Sequence, residues 1–201
     1  MTSPDEPTDL YATLPELLAM RDNRPQVAPE VMQRALRAAS RAIDRKVGRP
    51  PGGFLLATEA SARVYGARGR VTPDGRLLVD DIGSDADLVV EVEGGPGAWH
   101  ATEARVGPDN ALATGQPATW IVSLSRRWQR ADRVRVTARW GWPAVPEEIG
   151  MAALLLANRL YLRRNSPEGL VQTQEFGGVR LSRWDPDVEA LLAPYVLPGI
   201  A

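Results

Sequence analysis

The chain has 201 residues, with 24 basic and 25 acidic side chains, 44% hydrophobic composition, 17 prolines, 18 glycines and no cysteine. A net charge of -1 excludes a uniformly basic nucleic-acid coat and a supercharged membrane binder, so any electrostatic function must be local. Without cysteine there is no disulfide framework, thiol nucleophile, zinc finger or iron-sulfur cluster. A chain of this length can bury roughly 70% of the surface its unfolded form exposes, enough for one or two cored domains.

Residues 1–13 are acidic, rich in proline and aperiodic, and read as a flexible arm with no export signal. Thr13-Leu14-Pro15-Glu16 fits a capping box, in which Thr13 accepts an early backbone N–H and Glu16 reaches back, so a short helix starts there. A longer helix is predicted from Pro29 to Val47, ended by Gly48 and the run Pro50-Pro51-Gly52-Gly53. At 100° per residue Met32, Leu36, Ala39, Ile43 and Val47 share one face, while Arg34, Arg37, Arg41 and Arg45 stack on the other. That basic face is either solvated or turned to a partner or polyanion.

From Phe54 to Trp140 the period becomes two. Strands are predicted at 62–65, 76–80, 88–93, 119–124 and 133–139, with Pro73-Asp74-Gly75 and Gly94-Gly95-Pro96-Gly97 as punctuation and 107–117 as a long contact loop. Helical character returns at Pro146. Glu147 and Glu148 stand in the first turn and Arg163 and Arg164 in the last, as the helix dipole favours, and a wide apolar face makes this the central buried helix. Residues 171–183 read as a hairpin around Gly177-Gly178. Asp185-Pro186 then caps a last short helix that Pro194 terminates. The expected architecture is α+β: a helical bundle from 14–53 and 143–184, a small inserted antiparallel β domain at 54–142, and a C-terminal tail at 185–201.

Catalytic signals are absent. His100 is the only histidine and has no nucleophile motif nearby; no G-x-S-x-G, H-E-x-x-H or Walker loop occurs. Asp80, Asp81, Asp85 and Asp87 miss the EF-hand spacing and read as a solvated turn between strands, so neither metal nor cofactor is expected. Trp140 and Trp142, bracketing Gly141 and followed by Pro143, read as aromatics buried at a domain junction. Charge is segregated: residues 29–49 and 125–140 each hold six bases, whereas 74–93 hold seven acids against Arg76. Such patches could pair head to tail between copies, because a heterologous interface joins two different surfaces and can close into a ring. In that arrangement Arg34, Arg37, Arg41 and Arg45 meet Asp80, Asp81, Asp85 and Asp87 of a neighbour. The alternative is a soluble DNA-binding protein that uses the basic helix 29–47.

A family likeness lies in an ordered set of short segments. These are Leu36-Arg37-Ala38-Ala39-Ser40-Arg41-Ala42-Ile43-Asp44 with Gly48-Arg49, Leu77-Leu78-Val79-Asp80-Asp81-Ile82, and Val134 to Pro143 leading into Val145-Pro146-Glu147-Glu148-Ile149. Arg163 to Gly169, Phe176-Gly177-Gly178-Val179-Arg180, Asp185-Pro186-Asp187-Val188 and Pro194-Tyr195 follow. Together they resemble head-tail connector (adaptor) proteins of long-tailed double-stranded DNA bacteriophages and related gene transfer agents, over roughly residues 10–196.

The resemblance implies a non-enzymatic virion neck protein, made in the bacterial host cytoplasm, that assembles as a twelve-fold ring beneath the portal. Its partners would be itself, the portal protein and a stopper or tail-completion protein. Double-stranded DNA would pass through the channel without sequence-specific binding, and no membrane is involved. The segment from Asp185 would grip the portal, and Val188, Leu191, Leu192, Tyr195, Val196 and Leu197 make an unusually apolar chain end, which frays unless docked on a partner or on the chain's own helices.

Overall fold

A computed structural model describes residues 9–21, 29–95, 97–125, 127–129, 132–163 and 185–197. The chain divides into two compact units, residues 1–52 with 145–201 and residues 53–144. Among the described residues the class is α+β, with four helices and a six-stranded antiparallel sheet.

The first unit holds α1 (Leu14–Ala19), α2 (Pro29–Val47), α3 (Glu147–Arg163) and α4 (Pro186–Leu192). The capping box forms as its sequence predicts: Glu16 N donates to Thr13 Oγ1 at 3.4 Å, and Thr13 N donates to Glu16 Oε2 at 2.7 Å. Gly48, at φ +77°, lets Arg49 N return to Asp44 O at 2.9 Å and close the end of α2. α2 lies along α3, and α4 packs on α3. Met32, Leu36, Ala39, Ile43 and Val47 of α2 are fully buried, as are Ile149, Ala152, Ala153 and Ala157 of α3. At α4, Asp185 caps the helix by accepting from Asp187 N at 3.0 Å, and Val188 and Leu192 face inward. The expected hairpin at 171–183 lies outside the described residues.

The second unit is a sheet in the order β1 (Ser61–Gly66), β6 (Arg133–Trp140), β2 (Leu77–Gly95), β5 (Ala118–Ser123) and β4 (Ala104–Gly107), with β3 (Ala98–Ala101) paired to the end of β2. Two strands expected at 76–80 and 88–93 are one continuous strand, so Asp80, Asp81, Asp85 and Asp87 lie along β2 and not in a turn between strands. Nineteen residues at about 3.3 Å each would span about 60 Å if straight, too long for so small a unit. Register shifts between Leu78 and Ile82, Ile82 and Ser84, and Ser84 and Val89 bend it, so that it serves β5 at its start, β6 through most of its length and β3 at its end.

The short strands β3 and β4 were not expected. Half of their eight residues are alanine or glycine and only Val106 is β-branched, and pairing with β2 and β5 rather than local propensity makes them strands. The supposed long loop at 107–117 contains the last residue of β4 and a 3₁₀ turn at Leu112–Thr114.

One face of the sheet carries the core: Tyr65, Leu77, Ile82, Val90, Val92, Ile121, Val134, Val136, Ala138 and Trp140.

Candidate assembly surfaces

The arginine face of α2 is partly neutralised by its own chain. Arg37 Nε lies 3.5 Å from Asp9 Oδ2, and Arg41 Nη2 donates to the Asp9 carbonyl at 3.0 Å. Arg41 Nε also sits 3.0 Å from Asp44 Oδ2, an ion pair whose N–H is not aligned for a hydrogen bond. Arg34 and Arg45 are exposed and have no partner among the described residues. Asp9, Tyr11 and Ala12, expected in a flexible arm, are held on α2. Tyr11 and Ala12 are buried, Tyr11 N donates to Ser40 Oγ at 3.2 Å, and the Tyr11 hydroxyl donates to Asp44 Oδ1. Sequence reading missed this knot; the only cue was an acid, Asp44, on the edge of an otherwise apolar helix face.

The C-terminal segment is fastened at several points. Lys46 Nζ meets Glu189 Oε1 at 2.8 Å, Arg159 Nη1 meets Asp185 Oδ2 at 3.3 Å, Arg49 Nη1 donates to the Tyr195 carbonyl, and Leu197 N donates to Val47 O at 2.9 Å. The Tyr195 hydroxyl donates to Glu148 Oε2 at 2.9 Å. Partial burial and this carboxylate push the Tyr195 phenol up to about 12. The Glu148 carboxyl is lowered, first by its own backbone N–H and then by Tyr195.

The six apolar residues expected to dock outward therefore divide. Val188 and Leu192 are buried on the chain's own helices; Leu191 and Tyr195 are half-buried, and Val196 and Leu197 are 46% and 43% exposed.

The acidic set is a different case. Asp80 accepts from Arg63 at 2.7 Å and from the Tyr65 hydroxyl at 3.0 Å, Asp81 accepts from Trp142 Nε1 at 2.9 Å, and Asp87 accepts from Arg139 at 2.6 Å. Burial, reinforced by Asp80, raises the Tyr65 phenol above its ordinary range. Only Asp85 is without a partner among the described residues. The four acids are thus not a free complement to the α2 arginines.

The segregated charge is likewise engaged within the chain. The acidic stretch at 74–93 and the basic stretch at 125–140 are adjacent strands, and antiparallel pairing sets Glu91 opposite Arg135 and Val92 opposite Val134. Arg135 grips Glu91 through two 2.6 Å hydrogen bonds, and Arg133 meets Glu93 at 2.9 Å. Arg135 holds the Glu91 carboxyl below its ordinary value, and Glu91 raises the guanidinium in return. Trp99 on β3 lies under the ladder, its ring centroid 4.6 Å from the Arg135 guanidinium carbon. What reads in sequence as two interaction patches is largely cross-strand pairing inside one sheet.

Trp140, Trp142 and Pro143 stand at the end of the second unit. Trp140 Nε1 donates to Ser61 O at 2.8 Å, Phe54 and Trp142 rings meet at 5.3 Å, and both tryptophans are buried while Pro143 is half-buried. Gly141 between them has φ +109°, and a Cβ there would lie 1.9 Å from Leu55 O. The chain at 55–56 crosses directly over this glycine, and Ala57 N donates to Trp140 O at 2.8 Å. His100 lies on β3 against Gly94 and has no catalytic partner among the described residues. No group of three or more metal-ligating side chains is found among the described residues, and no described helix is long and apolar enough to cross a membrane.

No family model matches the sequence, and no curated protein matches it. Solved structures do. A chain in the neck of an empty gene transfer agent particle, computed with C6 symmetry, superposes with a TM-score of 0.55 at 16% identity, covering 100% of this chain and 95% of that one. A chain in the virion of a native gene transfer agent particle gives 0.51 at 17% identity, with the same coverage. The likeness spans both units, and this chain shares the fold of those particle proteins from end to end.

Proposed function

We propose that this protein is a structural component of a virion neck, a head-to-tail connector that assembles as a ring beneath the portal and joins the DNA-filled head to a stopper or tail. The observation that carries the reading is the end-to-end likeness in fold to a gene transfer agent neck chain, joined to the ordered sequence segments that independently resemble adaptor proteins. The six-fold symmetry stated for that neck accommodates either six or twelve copies, and the adaptor resemblance favours twelve.

The helices of the first unit supply the body of the ring in this reading, as a bundle closed around α3. The C-terminal segment supplies the portal contact through the groups it leaves outward: half-buried Leu191 and Tyr195, and exposed Val196 and Leu197. Val188 and Leu192 anchor that segment to its own chain. The role needs no chemistry, only position and rigidity.

DNA crosses such a ring without being gripped. Each phosphate neutralised by a wall arginine adds salt-dependent affinity that retards sliding, and Arg37 and Arg41 are already engaged by Asp9 and Asp44. These internal pairs weaken the case for a DNA-binding basic helix.

The test is native mass spectrometry of the protein alone and mixed with the portal encoded in its own genome, beside a variant truncated before Asp185. A portal-bound ring that the truncation abolishes is expected. A chain that stays monomeric and ignores a folded portal overturns the assignment, and steeply salt-dependent DNA affinity in its place would favour the basic-helix alternative.

A further inference from the structure

α3 is apolar on nearly every side. Ile149, Ala152, Ala153, Leu156 and Ala157 are buried, yet Met151 is 48% and Leu162 54% exposed. At 100° per residue Met151, Leu155, Asn158 and Leu162 fall within a sector of about 60°, a stripe that is exposed at Met151 and Leu162 and half-buried at Leu155 and Asn158, where Asn158 Oδ1 accepts from Arg21 Nη1 at 2.6 Å. A helix apolar all round belongs in an interior, and the described residues cover only part of this one. Glu147 stands exposed at the stripe's N-terminal end without a partner among the described residues, whereas half-buried Arg163 in the last turn lies about 80° around the helix from the stripe. Beside the stripe, residues 10–14, Gln33, Pro146, Gly150, Met151 and Leu154 line an open groove of about 560 Å³ with Glu16 and Glu147 among its walls.

The outward face of α2 has the opposite character. Glu30, Val31, Arg34, Ala38 and Arg45 are exposed and Arg41 is half-buried, all within about 100° of the helix circumference. Ala38, at the middle, permits close approach of another helix.

Laid antiparallel, the two faces agree in length and in charge. Glu30 to Arg45 and Glu147 to Leu162 are each about 22 Å at 1.5 Å per residue. Arg45 then meets Glu147, Glu30 reaches the level of Leu162, and Ala38 falls level with Leu154, one residue from Leu155 of the stripe. The helix dipoles are also opposed.

We propose that the α3 stripe is covered by the basic face of α2 from a second copy of this chain, each copy giving α2 to one neighbour and α3 to the other. This pairing rests on the ring reading above and supplies the surfaces that close the ring. A pairing of α2 with α2 would bring together two net-basic faces, each carrying Arg34, Arg41 and Arg45 against Glu30, and would be isologous. A pairing of α3 with α3 would be isologous and stop at a dimer. The heterologous pairing alone satisfies both stripes and continues from copy to copy. It also replaces the acidic residues of β2 with Glu147 as the complement of the arginines.

The absence of native cysteine makes the test clean. Ala38→Cys with Leu155→Cys in one full-length chain should give, on mild oxidation of assembled rings, a ladder of cross-linked dimers, trimers and larger species on a denaturing gel. Neither single variant should cross-link beyond a dimer. In parallel, Arg45→Glu and Glu147→Arg should each reduce the ring fraction in native mass spectra at least severalfold, and the double variant should recover it. Circular dichroism establishes that each variant is folded; Ala38, Arg45 and Glu147 are exposed and Leu155 is half-buried.

Rings that form normally while the double-cysteine chain gives no ladder, or charge reversals that leave the ring fraction unchanged, overturn the α2–α3 interface and leave the connector reading standing. A wild-type chain that forms no ring alone or with its portal defeats both.

Discussion

The Tyr11 hydroxyl donates to Asp44 Oδ1 across 33 residues of sequence, inside a unit where Asp44 is 2% exposed. The same carboxylate accepts from Gly52 N at 3.2 Å and pairs with Arg41, so one buried acid fastens the incoming chain, the body of α2 and the outgoing chain. A buried acid is tolerated only when its oxygens are satisfied in this way.

Tyr11→Phe should therefore destabilise the protein by roughly 1–3 kcal/mol, the range for leaving a buried polar partner unpaired. Asp44→Ala should cost more, because it strands the tyrosine hydroxyl, the Gly52 N–H and the Arg41 guanidinium together. Urea unfolding followed by far-ultraviolet circular dichroism reads both. Equal effects of the two substitutions would show that the acid acts through Tyr11 alone.

Gly141→Ala should be among the most damaging single changes in the chain, by more than about 3 kcal/mol, since it combines a left-handed backbone position with a Cβ placed on the Leu55 carbonyl. Gly95→Ala is the control: a Cβ there meets nothing within 4 Å and the φ is not positive. Thermal unfolding should separate the pair by many degrees. A Gly141→Ala protein as stable as wild type would mean that the 55–56 crossing yields easily.

The Arg135–Glu91 pair should behave as surface electrostatics. In a double-mutant cycle its coupling should be smaller than the effect of Tyr11→Phe and should shrink further as salt is raised, because exposed charges are screened over a Debye length of about 8 Å at physiological ionic strength. Coupling that persists in molar salt would identify packing against Trp99, not charge, as the source.

Acid should loosen the C-terminal segment. Glu148 has a lowered pKa in the folded chain, so its contribution is present above its unfolded value of 4.5 and is lost as pH falls through the lower folded value. Tyr195 has the opposite sign: its pKa is raised from 10.0 to about 12, so its contribution is complete below 10.0 and is lost as pH rises through about 12. Hydrogen exchange at Leu197, whose N–H is held by Val47 O, should rise at the acid end, and Glu148→Gln should reduce that acid sensitivity. The phenol should titrate late in ultraviolet difference spectra, and Glu148→Gln should bring it earlier.

Local signals with a short physical range were legible in the sequence. Thr13 and Glu16 form their capping box, Gly48 ends α2, Asp185 caps α4, and the 3.6-residue spacing of Met32, Leu36, Ala39, Ile43 and Val47 selects the buried face, because each depends on atoms a few residues apart. Composition excluded cysteine chemistry for the same reason: it needs no partner to be read.

Only the tertiary structure decided which distant groups meet. Asp87, Glu91 and Glu93 and the arginines Arg133, Arg135 and Arg139 look like two free patches until β2 pairs with β6 and joins them, while β1 brings Arg63 and Tyr65 to Asp80 and the chain after β6 brings Trp142 to Asp81. β2 reads as two strands because its register shifts interrupt the alternation, and those shifts are set by β5 and β6. Val188 and Leu192 are apolar whether they face a partner or their own helices, and the choice is made by α3, Lys46 and Arg49. Hydrophobicity and charge are properties of a residue, whereas satisfaction of either is a property of a contact, and contacts between residues far apart in the chain are fixed by folding.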